Sequence, residues 1–220
     1  MSTLQNNHLK DHLLHFVTPQ ILELLREPSA RLEKTEKEVA VLFLDIAGCS
    51  KLCENLPPSE MNRLVEVYFT RYFDIIQKLD GVVNEIAGDG FMALFEGNGY
   101  AEKIYAATCA AVEIGRATQE LKREPANERY DTQVRMGIHA GQAFVGFTKF
   151  HAKRWERWTY TASGPVTNVA ARLCQLASGG SILVSSSVAR LVGDRYPLES
   201  LGPQNLKNVS SPIEVFRLIL

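Results

Sequence analysis

Val39-Ala-Val-Leu-Phe-Leu-Asp-Ile46 is an apolar run broken by a single carboxylate. A continuous stretch of this kind reads as a strand buried on both faces, and such a strand needs helices to cover it. Asp45 is the anomaly, because an unpaired buried charge costs roughly several kcal/mol. Taken alone, it has an ordinary explanation as the N-cap of a following helix.

Downstream, Ala47-Gly48-Cys49-Ser50 leads towards a helix. Pro57-Pro58-Ser59 opens a long amphipathic helix through Lys78, with Leu64, Val67, Tyr68, Tyr72, Ile75, Ile76 and Leu79 as its buried stripe. Asp80-Gly81 ends it. Val82–Ile86 and Phe91–Phe95 read as short strands around Ala87-Gly88-Asp89-Gly90, which puts a second Asp at a hairpin tip, where a turn residue is the ordinary explanation. Tyr100–Leu121 carries helical periodicity, Thr132–Gly146 reads as strand, turn, strand, and Pro165–Leu176 as a helix. Ser181–Ser185, a short helix around Val188–Leu191 and a terminal strand Ile213–Ile219 complete an alternating α/β order without internal repeats.

Upstream, residues 8–27 place Leu9, Leu13, Phe16, Val17, Ile21, Leu24 and Leu25 at helical spacing, an amphipathic lead-in. The charged stretch Arg31–Glu38 has no apolar period and reads as a linker. The expected organisation is a helical segment and linker over residues 1–37 and one folded domain over residues 38–220.

The 220 residues are 45% hydrophobic and 22% charged, enough to bury one sizeable core. Lys and Arg (24) nearly balance Asp and Glu (25), so no overall field points to nucleic acid or an anionic membrane, and neither is expected as a partner. The N-terminus lacks a basic segment followed by a long apolar run, and the expected location is cytoplasmic. Cys49, Cys53, Cys109 and Cys174 are scattered and read as reduced small residues, and His8, His12 and His15 sit in a polar segment without other ligand types.

Four segments then occur together: FLDIAGCS (43–50), NEIAGDGFMALF (84–95), GIHAGQAFVG (137–146) and TYTASGPVTNVAARL (159–173). In this order and spacing the chain resembles the class III nucleotidyl cyclase catalytic domains over Glu38–Leu220. The resemblance implies a ferredoxin-like βαββαβ fold of the α+β type, with a central, mostly antiparallel sheet flanked by helices. It implies a homodimer that closes a nucleoside triphosphate into a 3′,5′-cyclic nucleotide with two divalent ions, Mg²⁺ or Mn²⁺. Asp45 and Asp89 match the family's metal carboxylates, and Ile46 matches the residue lending a backbone carbonyl. Gly48, Cys49 and Ser50 match its phosphate-binding turn, where free N–H groups and a helix dipole hold anions. Asn168 and Arg172, four apart on one helix face, match the ribose-orienting and transition-state residues. Lys207 lies near where the family places a basic residue on the triphosphate; a solvated loop lysine is the alternative. The segment KFHAKRWERWTY (149–160) matches an extended arm gripping the partner subunit, with Arg157 just before the base-contacting strand; mixed basic and aromatic residues also suit single-stranded nucleic acid. His139 reads as a satisfied strand-end histidine.

The base-reading positions of the family fall on Glu85 and Thr161. Where adenylyl members carry Lys, this chain has a carboxylate, which pairs with N–H donors such as those of guanine. Guanylyl members usually pair that Glu with Cys, not Thr. The chain also resembles, in length and lack of fused modules, standalone bacterial antiphage cyclases acting on pyrimidine nucleotides. Guanine and pyrimidines therefore stand ahead of adenine. Gly164-Pro165-Val166-Thr167 replaces the more usual G-[DN]-x-V. Two other classes compete: a catalytically silent cyclase-like dimerisation module, and a diguanylate cyclase, whose G-G-[DE]-E-F turn is here AGDGF.

Overall fold

The computed structural model describes residues 16–26, 33–49, 52, 54, 56–128 and 130–220. Its elements, in chain order, are α1 (Pro19–Arg26), β1 (Thr35–Ala47), α2 (Pro58–Lys78), β2 (Gly81–Ala87), β3 (Gly90–Phe95), α3 (Tyr100–Arg123), β4 (Gln133–Ala152), β5 (Trp155–Ser163), α4 (Pro165–Leu176), β6 (Ile182–Ser185), α5 (Ser186–Val192), β7 (Leu198–Gln204) and β8 (Ile213–Leu218). The sheet order is β2-β3-β1-β4-β6-β8-β7, with β5 paired to β4. Only β4 and β6 run parallel among these pairs, so the fold is the α+β, mostly antiparallel type expected.

Strand alternation sorts β1 between two cores. Ala40, Leu42, Leu44 and Ile46 pack under α2 and α3 with Tyr68, Tyr72, Ile104 and Ile114. Val39 and Val41 face the other way and pack with Met92, Val145, Tyr160 and Ala170 beneath β5 and α4. This two-sided burial is why the run is apolar throughout, and it assigns Asp45, by parity, to the α4 face.

Three expectations need correction. β1 starts at Thr35 rather than after the charged stretch, and Thr35–Glu38 pair with Val145–Gln142. Their side chains are largely exposed, so backbone pairing fixes this stretch without an apolar pattern; Lys37 adds a 2.7 Å ion pair with Glu96. Thr132–Gly146 is not strand, turn, strand but the first part of one long strand, β4. Its Gly137 makes no turn: a Cβ there would lie 2.2 Å from Cys174 N and 2.4 Å from Ala170 O, so the glycine lets α4 lie directly on β4. Finally, Leu198–Gln204 is an unexpected edge strand, polar and interrupted by Pro203, held by its pairing with β8. The lead-in helix expected over residues 8–27 is observed only as α1 from Pro19: Phe16–Thr18 are not helical and Phe16 is exposed, while residues 8–15 lie outside the described residues.

Candidate active site

Asp45 and Asp89 are brought together although 44 positions separate them in the chain. Asp45 pairs with Gly90 across β1 and β3, and Ile46 donates its N–H to the Asp89 carbonyl at 3.0 Å. Gly90 makes the approach possible, since a Cβ there would lie 2.8 Å from the Leu44 carbonyl oxygen and 3.4 Å from Asp45 Oδ1. Burial pushes the Asp45 carboxyl above the ordinary carboxylate range; the Arg135 hydrogen bond works against this, and the neighbouring Asp89 charge raises it again.

Arg135 is a residue that sequence reading passed over. It lies directly opposite Asp45 in the β1–β4 register and donates to Asp45 Oδ2 from Nε at 2.7 Å and from Nη2. The only sequence signal for it is a lone Arg at a site-facing parity position in β4. Both residues line a cleft of about 260 Å³ together with Glu85, Met92, Cys174 and Gln175. Cys174 is buried, donates to the Arg135 carbonyl and has its thiol pushed up to about 12 by burial and by Asp45, so it is no nucleophile near neutrality.

A second cleft, of about 390 Å³, lies beside the acidic pair and is lined by Cys49, Pro58, Met61, Asn62, Gly88 and Asp89. Gly48 takes positive φ (74°) as the chain leaves β1, and its carbonyl accepts from the Leu52 N–H, which makes a helical turn. Cys49, the next residue, thus lines one cleft with Asp89. Ser50 lies outside the described residues.

The remaining candidates are grouped elsewhere. Asn168 and Arg172 share the outer face of α4, whose other face buries Val166, Val169, Ala170, Leu173 and Cys174. Arg172 donates to the Lys207 carbonyl at 3.1 Å and to Gln175 Oε1 at 2.5 Å. Arg172 and Lys207 are therefore neighbours through the backbone, while the Lys207 side chain is exposed. Neither Asn168 nor Arg172 lines the Asp45 cleft of its own chain.

Thr161 is met by Asn84, whose Nδ2 donates to its hydroxyl at 3.1 Å. Asn84 sits at a bulge between Val83 and Glu85, which turns it towards β5 while Glu85 remains opposite Met92 and lines the Asp45 cleft. A bulge cannot be read from hydrophobic periodicity, so nothing in the local pattern distinguishes Asn84. His139 is structural: Nδ1 lies 2.7 Å from Ser185 Oγ, and burial lowers its pKa to about 4. The β4–β5 hairpin forms the expected extended arm and exposes Phe150 (53%) and Trp155 (58%).

The acidic pair thus lies at the end of a central strand and its neighbouring hairpin, on a helix-backed, mostly antiparallel sheet. The chain belongs to the adenylate and guanylate cyclase catalytic domain family, whose model matches residues 32–219. An uncharacterised protein of Mycobacterium tuberculosis is 30% identical over 188 residues, 84% of this chain and 31% of the relative. A second from the same organism is 28% identical over 184 residues, 83% of this chain and 32% of the relative. The chain thus spans about a third of the length of these curated relatives. Among solved structures, the adenylyl cyclase CyaB from P. aeruginosa is 26% identical with a TM-score of 0.79, over 86% of this chain and 97% of that one. A bacterial light-regulated adenylyl cyclase is 25% identical with a TM-score of 0.82, over 99% and 63% respectively. The guanylyl cyclase Cya2, 23% identical with a TM-score of 0.73 over 84% and 93%, shares the fold. No helix among the described residues is long and apolar enough to cross a membrane.

Proposed function

We propose that this chain cyclises a nucleoside triphosphate to a 3′,5′-cyclic nucleotide and pyrophosphate, in a site shared between two copies. The observation that carries this reading is the convergence of Asp45 and Asp89 beside the Ile46 backbone. Burial and the neighbouring Asp89 charge both raise the proton affinity of Asp45, so the two carboxylates are poor neighbours alone and good ligands together. Among the described residues no third ligating side chain joins them. Two carboxylates and a carbonyl are the sparse oxygen set that suits Mg²⁺ or Mn²⁺ when substrate phosphates and water supply the other ligands.

When bound, two such ions would lower the pKa of the ribose 3′-hydroxyl and neutralise triphosphate charge. Asp45, Asp89 and the Ile46 carbonyl would hold them. The 3′-oxygen forms a bond to the α-phosphorus, the bond to the bridging oxygen of pyrophosphate breaks, and the 3′ proton passes to solvent. Gly48 and Cys49, with Ser50, would bind phosphate through backbone N–H groups. Asn168 would orient the ribose and Arg172 would stabilise charge on the α-phosphate as it becomes five-coordinate. Lys207 would add a positive charge on the triphosphate.

Asn168 and Arg172 lie on the outer face of α4, where Arg172 reaches the Asp45 cleft only through Gln175, and this placement supports a homodimer in which each copy completes the other's site. The exposed arm, with Phe150 and Trp155, would supply contacts between copies. Glu85 and Thr161 would read the base, an acceptor and a hydroxyl that favour guanine or a pyrimidine over adenine. The test is to incubate the purified protein with each of the four nucleoside triphosphates and Mg²⁺ or Mn²⁺ and resolve the products by mass. A cyclic nucleotide from at least one is expected; no product under any condition would refute the assignment and leave a silent domain.

A further inference from the structure

The charged stretch before Val39 converges on the strand that carries Thr161. β5 hydrogen-bonds along one edge only, to β4, and its outer half, residues 155–158, is exposed. Around Thr161 it is tied down. Tyr160, buried and edge-on to Phe147 at 5.2 Å between ring centroids, donates its hydroxyl to Glu96 Oε1 at 2.5 Å. The other oxygen of Glu96, just past β3, takes the Lys37 ammonium at 2.7 Å. Lys34 Nζ donates to Ser163 Oγ at 3.0 Å, and the backbone at Glu33 and Lys34 lies on Gly146, the register partner of Thr161. A Cβ at Gly146 would lie 2.7 Å from Glu33 O, so only glycine lets the two segments touch. Of these ties the short, shielded O–H···O contact to a carboxylate is the strong one, whereas the exposed lysine contacts contribute little singly. Burial and the Glu96 carboxylate push the Tyr160 hydroxyl well above its ordinary range, which keeps it protonated as the donor.

Building on the assignment of Thr161 to base reading, we propose that Glu96 is a positioning residue for nucleotide preference: its two oxygens, one on the Tyr160 hydroxyl and one on the Lys37 ammonium, fix β5 and with it the Thr161 hydroxyl. Alternation along the strand puts Tyr160 on the buried face and Thr161 on the opposite one. A shift of β5 that frees Tyr160 therefore carries the Thr161 hydroxyl with it and away from Asn84, its hydrogen-bond partner on β2. Glu96 touches neither substrate nor metal in this arrangement and acts through Tyr160 alone.

The test is to measure kcat and KM for each of the four nucleoside triphosphates with Mn²⁺, using the full-length chain. Wild type, Tyr160→Phe, Glu96→Ala, Glu96→Gln, the Tyr160→Phe/Glu96→Ala double variant and Thr161→Ala are compared. Tyr160→Phe and Glu96→Ala should each raise KM for the preferred nucleotide about fivefold or more with kcat nearly unchanged, and narrow the preference over the next nucleotide by the same factor. Glu96→Gln keeps an acceptor for the hydroxyl and should recover most of that preference. The double variant should be no worse than either single one, because both remove the same contact. An equal fall in kcat for all four nucleotides, with preference unchanged, would show a merely structural role and overturn the proposal. Thr161→Ala shifting the preference while Tyr160→Phe and Glu96→Ala leave it alone would overturn the positioning role and keep the base-reading assignment. Thr161→Ala without effect on preference would instead remove that assignment, and no product from any nucleotide would remove the cyclisation reading; the proposal falls with either. Circular dichroism checks folding, and Tyr160→Phe carries the comparison should Glu96→Ala not fold.

Discussion

Gly137→Ala is the substitution whose effect follows most directly from the geometry. A Cβ at this position meets three backbone atoms of α4: Cys174 N at 2.2 Å, Ala170 O at 2.4 Å and Leu173 C at 2.8 Å. Backbone cannot swing aside as a side chain can, so α4 has to retreat by about 1 Å to reach ordinary contact, with an overpacking cost of about 1–3 kcal/mol. Asn168 and Arg172 ride on that helix, and a displacement of about 1 Å at a catalytic group can cost on the order of 100-fold in rate. Urea unfolding measures the first quantity and cyclic-nucleotide production per folded dimer the second. Gly141→Ala is the internal control in the same strand, because its Cβ meets nothing nearer than Val166 Cγ2 at 3.8 Å. It should change stability by less than about 1 kcal/mol and leave activity intact. A Gly137→Ala protein within about 0.5 kcal/mol of wild type and fully active would refute the inference that contact with β4 sets the position of α4.

Asp45→Ala and Asp89→Ala should each lose more than about 100-fold in activity, and mixing Asp45→Ala with Arg172→Ala protein should restore one site per heterodimer; complete absence of rescue would count against a shared site. Wild-type activity per molecule should fall on dilution, as measured by initial rates across protein concentrations. His139 is held neutral by burial, with a pKa of about 4 against 6.5 ordinarily, so its contribution to stability is complete above the unfolded value and is lost as pH falls towards the folded one. Between pH 7 and pH 5 this amounts to about 2 kcal/mol in urea unfolding, and His139→Gln should flatten that part of the profile. Asn84→Ala removes one hydrogen bond to Thr161 together with a buried Oδ1 that has no partner, so stability should move by less than about 1 kcal/mol. Its effect should appear in the relative kcat/KM for the four nucleotides, and an unchanged preference would detach Asn84 from base reading.

The sequence alone determined the parts of the fold that repeat a local pattern. The run Val39–Ile46 announced a strand covered on both faces because every residue in it must avoid water, and the stripe from Leu64 to Ile76 announced α2 because burial recurs at the helical period. Asp45 stood out for the same reason, as the one charge in that apolar run, and the ordered motifs singled out Asp89, Asn168 and Arg172. The lines that patterns do not cross were invisible: Thr35–Glu38 and Leu198–Gln204 are strands held by backbone pairing, which leaves no signature in exposed side chains. Thr132–Gly146 read as strand, turn, strand, whereas it is continuous strand in which Gly137 marks the place where α4 touches the sheet. Only the tertiary structure decided that Arg135 lies against Asp45 and that Asn84, turned by a bulge, reaches Thr161. Both contacts depend on strand register, and register is fixed by what two distant segments bury together, not by either segment read by itself.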